Sequence, residues 1–247
     1  MSNTRELKSR EKVGSSLIKI ILATGALLAL FLAFVFLSFI QVKSSGSFGS
    51  SITSLLALDS PKIWWYVTRA AGVMGYMLFW LSTVWGFATA SKLLDKLLER
   101  TYTFDFHEFI TWLSLGFIGL HVIVLMVDKF KPFSMLQILV PFVSSYRPFW
   151  VGIGIISMYL AVLVTVTFYL RSKISMQIFR KIHVLSVVSY LAAFLHGVFS
   201  GTDTSSIGLQ VMYWGTFMAA VFFFLQWIIT LIFKKIETGR KTVKPSV

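Results

Sequence analysis

Apolar positions run in long blocks, separated by short stretches that are basic, Ser/Gly-rich or interrupted by proline. A helix needs about 20 predominantly apolar residues to cross hydrocarbon. Six blocks approach or exceed that length: residues 17–42, 63–90, 105–128, 149–170, 182–200 and 209–233. The pattern predicts an all-α integral membrane protein, a six-transmembrane-helix bundle forming one domain over 17–233. A basic N-terminus, 1–16, precedes it and a basic tail, 234–247, follows. The first block exceeds a signal-peptide core and reads as a retained span.

The connections carry their own signals. Ser44 to Ser54 reads as a flexible loop, and Trp64, Trp65 and Tyr66 as an interfacial aromatic belt. Ser91 to Thr103 reads as a short amphipathic link. Asp105 followed by Glu108 resembles a capping box that would start the third span. Lys129 to Pro148, broken by Pro132, Pro141 and Pro148, reads as an interfacial segment.

Composition supports the same class, with 56% hydrophobic and only 13% charged residues. The net charge of +13 does not imply nucleic acid, because the basic residues cluster between spans. Sixteen Lys and Arg fall on the side of the two termini and five on the other. The positive-inside rule then makes both termini cytoplasmic, in a multi-pass protein of the cell membrane (plasma or inner). There is no cysteine, which excludes thiolate metal sites, iron–sulfur clusters and covalent haem attachment.

All four histidines lie in two spans, His107 and His121 in the third, His183 and His196 in the fifth. Both spans run outward from the cytoplasm, so His107 pairs by depth with His183, and His121 with His196. Two helices that each offer an imidazole at one depth can clamp a porphyrin between them, and two levels predict two b-type haems. Along each helix the levels lie about 20 Å apart. A spacing of 14 in the third span returns within about 40° of the same face, but the 13 of the fifth falls about 140° away. The fifth span is therefore expected to contain a 3₁₀-like tightening or a bend between its histidines. Two other readings of these histidines are a hydrogen-bonded packing role and a metal-ion path in a non-haem transporter.

The 14 and 13 spacings in the third and fifth of six spans resemble the ferric reductase-like transmembrane domain shared by ferric reductases and NADPH oxidases. Four segments add to the resemblance: R-A-A-G at Arg69–Gly72, V-P-F-x-S-x-Y-R-P-x-W at Val140–Trp150, F-R-K-I-H at Phe179–His183 and L-H-G-V-F-S-G-T-D at Leu195–Asp203. The resemblance implies haem-mediated electron transfer from a cytoplasmic or membrane donor to an external acceptor such as chelated ferric iron. No G-x-G-x-x-G fingerprint follows a strand here, so no flavin or nicotinamide domain is recognisable, and a separate flavoprotein or quinol is expected as donor. Leu125 stands where NADPH oxidases carry a further histidine, which weighs against superoxide production. An alternative in the same superfamily is a haem subunit that serves an exported methionine sulfoxide reductase.

Other candidates are cationic or acidic. Arg69, inside the second span, needs an anion, for which an outer haem propionate competes with snorkelling to headgroups. Arg180 and Lys181 are candidates for the inner propionates, though the positive-inside rule accounts for them equally. Asp128 and Asp203 read either as attractors of a cationic acceptor or as helix-end and turn residues. Glu108 reads as a helix-start residue.

Overall fold

The computed structural model describes residues 62–95, 97–128 and 132–242, with side chains through 236. The basic N-terminus and the expected first span, 17–42, lie outside them. Every regular element among the described residues is helical. Five have the length and composition of membrane spans: Ile63–Ala90, Arg100–Val127, Pro148–Ser172, Met176–Ser200 and Ile207–Ile236. The chain is a multi-pass helical membrane protein. The described residues fall into two compact units, one holding 62–70 and 119–128 with Pro132, the other 71–118 and 133–242.

Helix α1 (Ile63–Ala90) has the expected bounds. Its end is made by Lys92, in the left-handed region at φ 59°. There Leu93 N–H reaches Ala88 O and Lys92 N–H reaches Thr89 O, the double closure of a Schellman cap with lysine where glycine is usual.

Helix α2 (Arg100–Val127) begins five residues before Asp105, which corrects the expected capping box. Asp105 and Glu108 are interior residues. Glu108 instead accepts from the Tyr169 hydroxyl at 2.5 Å, and that hydroxyl takes Trp112 Nε1–H at 2.6 Å.

The segment between the third and fourth spans contains a short helix, α3 (Met135–Leu139), opened by a capping box between Ser134 and Gln137. Its Met135, Leu136 and Leu139 are exposed, as an interfacial element requires.

Helix α4 (Pro148–Tyr169) has proline in its first turn and passes into a 3₁₀ turn, Leu170–Ser172. Next comes α5 (Met176–His183), capped by the Ser175 hydroxyl, then α6 (Leu185–Ser200). The fifth span thus starts six residues before the expected Ile182, and its expected irregularity lies at Val184. Val187 N–H bonds back to Val184 O at 3.1 Å, one residue short of the α step. Helix α7 (Ile207–Thr242) runs past the expected end at Phe233.

In the second unit, the core gathers Tyr76 and Phe79 of α1, Ala161 of α4, Tyr190 and Phe194 of α6 and Tyr213 of α7. Helices α4 and α6 meet through a reciprocal pair: Ser157 Oγ donates to Ser189 O at 2.8 Å and Ser189 Oγ to Ser157 O at 2.7 Å. Small residues let membrane helices approach this closely. The large apolar side chains on outer faces, such as Val211 and Phe222 of α7, would be a liability in water and form a lipid face in a bilayer.

Candidate functional site

His107 of α2 and His183, the last residue of α5, face each other with ring centroids 6.3 Å apart and planes at 70°. One metal atom between two imidazoles, at about 2 Å from each nitrogen and about 1 Å more to each ring centre, requires about 6 Å. The separation therefore fits a shared metal. Gly86 lies beside the His107 edge, where a Cβ would stand 3.3 Å from Cε1 and 3.9 Å from Nε2.

The hydrogen bonds around His107 favour one tautomer. Thr111 Oγ1 donates to His107 O at 2.7 Å, so in the 2.6 Å contact between Ser82 and Thr111 Ser82 is the donor. Ser82 Oγ is then left to accept from His107 Nδ1 at 3.4 Å, a long bond. With the proton on Nδ1, Nε2 carries the lone pair a metal ligand needs.

His121 and His196 reach the same state through backbone carbonyls, which can only accept. In the first unit, His121 Nδ1 lies 2.7 Å from Thr68 O, while Thr68 Oγ1 donates to His121 O at 2.8 Å. In the second, His196 Nδ1 lies 2.9 Å from Trp150 O. The His196 ring rests on Gly154, where any Cβ would overlap it. Trp150 also stacks on Phe199, with centroids 4.1 Å apart. Its preceding loop holds the end of α6, with Tyr146 Oη donating to Ser200 O and Arg147 Nη1 to Phe199 O. Such outer partners orient metal-binding histidines and raise their basicity. His183 differs: its Nδ1 is buried with no hydrogen-bond partner among the described residues.

This donor set fits haem better than a bare ion. Among the described residues no three His, Asp or Glu side chains come together as a metal site. Two imidazoles alone would leave a bare ion under-coordinated, whereas a porphyrin supplies the equatorial nitrogens and asks the protein only for axial ones.

The remaining candidates are placed as follows. Arg69 is half-buried and lies over the Trp65 ring at 5.8 Å, one residue after the Thr68 that holds His121. Arg180 and Lys181 are exposed in the last turn of α5. Asp128 is buried, one residue past the end of α2. Asp203 is exposed, and its carbonyl accepts Ser206 N–H at 2.9 Å, the turn role anticipated for it. Sequence reading brought out the four histidines and missed Ser82, Thr111, Thr68, Gly86 and Gly154. Trp150 stood within a noted motif with no role attached.

Comparison of the chain with family models, with curated proteins and with solved structures finds no match.

Proposed function

We propose that the chain carries electrons across a membrane through two bis-histidine b-type haems, in the manner of ferric reductase-like proteins. In this reading it crosses the cell membrane six times with both termini cytoplasmic, and reduces an external acceptor such as chelated ferric iron. The observation that carries the proposal is the opposition of His107 and His183 at 6.3 Å, with His107 held in the ligand tautomer. Bound haem would supply a one-electron carrier at each level. His107 and His183 would hold the inner group. Sequence depth assigns His121 and His196 to the outer one.

The polypeptide's part is to bind, orient and exclude water. Ser82, Thr68 and the Trp150 carbonyl hold three imidazoles with Nε2 ready to ligate, and the apolar helices keep the interior dry. Arg69 and Arg180 are the cations this reading assigns to outer and inner propionates. The donor is a separate flavoprotein or a membrane quinol.

The test uses liposomes with reductant trapped inside and an impermeant ferric chelate outside. The intact protein reduces the chelate, and His107→Ala and His121→Ala each abolish reduction. Unchanged reduction in both variants eliminates a relay through the histidines. Haem-replete protein inert toward every ferric chelate, yet co-purifying with an exported reductase, points to the dedicated-partner role.

A further inference from the structure

Glu108 and Arg171 are opposite charges that share one hydroxyl without pairing with each other. The Tyr169 hydroxyl donates to Glu108 Oε1 at 2.5 Å and takes Trp112 Nε1–H at 2.6 Å, so its own proton is spent. Arg171 also acts on that hydroxyl through its charge. Its guanidinium lies 3.9 Å over the Phe168 ring and gives one N–H to Phe168 O, which leaves further N–H groups to donate. Among the described residues Glu108 has Tyr169 as its one hydrogen-bond partner, so its second oxygen is left to accept. Both charged side chains are half-buried, within reach of a ligand. Charges at the edge of an apolar bundle ordinarily close on one another or mark a site.

Their depth points to the bilayer surface. Tyr169 is the last residue of α4, and the span ends three residues later at Ser172. Trp and Tyr are the side chains that settle at headgroup level. One turn above Trp112, a Cβ at Gly116 would meet nothing within 4 Å. One turn before Tyr169, Val166 of α4 is exposed. Both steps lead into the membrane. The two charges therefore stand at the mouth of open apolar surface, where a lipid has its polar group.

We propose that Glu108 and Arg171 hold the headgroup of a zwitterionic aminophospholipid, of the phosphatidylethanolamine class, at this edge of α2 and α4. The ammonium donates to the second Glu108 oxygen, and the phosphodiester accepts from Arg171. A primary ammonium is specified because Glu108 offers an acceptor, and a choline headgroup has no N–H to give it. A glycerol headgroup would satisfy Arg171 and leave Glu108 unmatched. The acyl chains run along Gly116 and Val166. The site is independent of the haem reading.

The experiment is mass spectrometry of the intact full-length protein released from detergent, after exposure to equimolar phosphatidylethanolamine, phosphatidylcholine and phosphatidylglycerol with identical chains. Wild type should retain a single phosphatidylethanolamine in preference to the other two. Glu108→Gln should lower its retention about 10-fold, the worth of one charge-assisted bond, and leave phosphatidylglycerol undiminished. Arg171→Gln should lower phosphatidylethanolamine and phosphatidylglycerol together, and Arg171→Lys should restore part of both.

Equal retention of the ethanolamine and choline lipids by wild type overturns the proposal. So does an equal fall for all three lipids in Glu108→Gln, because that is the result of a charge that only supports the fold. Where Glu108→Gln does not purify as a helical protein, the Arg171→Gln and Arg171→Lys pair decides. Soluble phosphoethanolamine serves as the headgroup without chains, and retention equal to that of the lipid overturns the assignment to a membrane lipid.

Discussion

Thr68 holds His121 from two directions: its carbonyl takes the ring Nδ1–H at 2.7 Å, and its hydroxyl donates to the His121 carbonyl at 2.8 Å. A threonine on α1 thereby sets both the tautomer and the backbone position of a histidine on α2. The residue is 1% exposed, so no water competes for either bond.

Thr68→Val keeps the shape and the carbonyl and removes only the hydroxyl. On the two-haem proposal it should loosen the His121 backbone and lower haem affinity at that level by less than the about 10-fold that marks loss of a ring partner, and leave the His107–His183 level unchanged. Haem titration of the apoprotein, resolved by the two haems' spectra, measures this. Equal loss at both levels would show that Thr68 supports the fold and not the ligand.

Gly154 and Gly215 offer a matched pair of helical glycines. A Cβ at Gly154 overlaps the His196 ring, whereas one at Gly215 meets nothing within 4 Å. Gly154→Ala should displace His196 and, on the two-haem proposal, remove the haem assigned to it. Gly215→Ala should keep both haems and raise stability by about 0.5–1 kcal/mol through helix propensity. Haem content and thermal unfolding of the two variants provide the check.

The Ser157–Ser189 pair predicts energetic coupling. Each hydroxyl satisfies the other residue's carbonyl, and interhelical bonds of this type contribute about 0.6 kcal/mol on average in membranes. Ser157→Ala and Ser189→Ala should each destabilise the bundle by about that amount. Their double-mutant cycle should depart from additivity, because α4 and α6 separate slightly once either bond is gone. Strict additivity in denaturant unfolding would contradict this.

Reporter fusions after Ser200 and after Val247 should report opposite faces, as the 16 to 5 division of basic residues requires. The same face for both would remove α7 from the set of crossings.

Tyr169→Phe would strand the Glu108 carboxylate and the Trp112 Nε1–H together. Both groups are half-buried and water can partly replace the hydroxyl, so a loss of about 1 kcal/mol or less is expected for each. On the two-haem proposal the spectrum should not change, since the Ser82 and Gly86 contacts of His107 are kept.

Much of the fold could be read from apolar run length. The bounds of α1 match the Ile63–Ala90 expectation, and the mismatch of 13 residues between His183 and His196 called for an irregularity that the structure puts at Val184. The failures lie at helix ends. Asp105 and Glu108 carry the capping pattern without forming the cap, because α2 gains another turn and Tyr169, distant in sequence, supplies the partner for Glu108. Lys92 closes α1 in a conformation usually left to glycine, and no local signal announces that.

Sequence by itself determined the membrane class, the helical spans among the described residues and the identity of the four histidines, since hydrocarbon thickness and the rarity of ionisable groups in lipid are read one segment at a time. Tertiary structure decided which histidines carry their proton on Nδ1, that His107 and His183 stand 6.3 Å apart, and that His183 Nδ1 has no partner among the described residues. Those facts depend on hydroxyls and carbonyls from other helices. A hydroxyl looks alike in the sequence whether it faces lipid or a ligand, and a backbone carbonyl leaves no mark there at all.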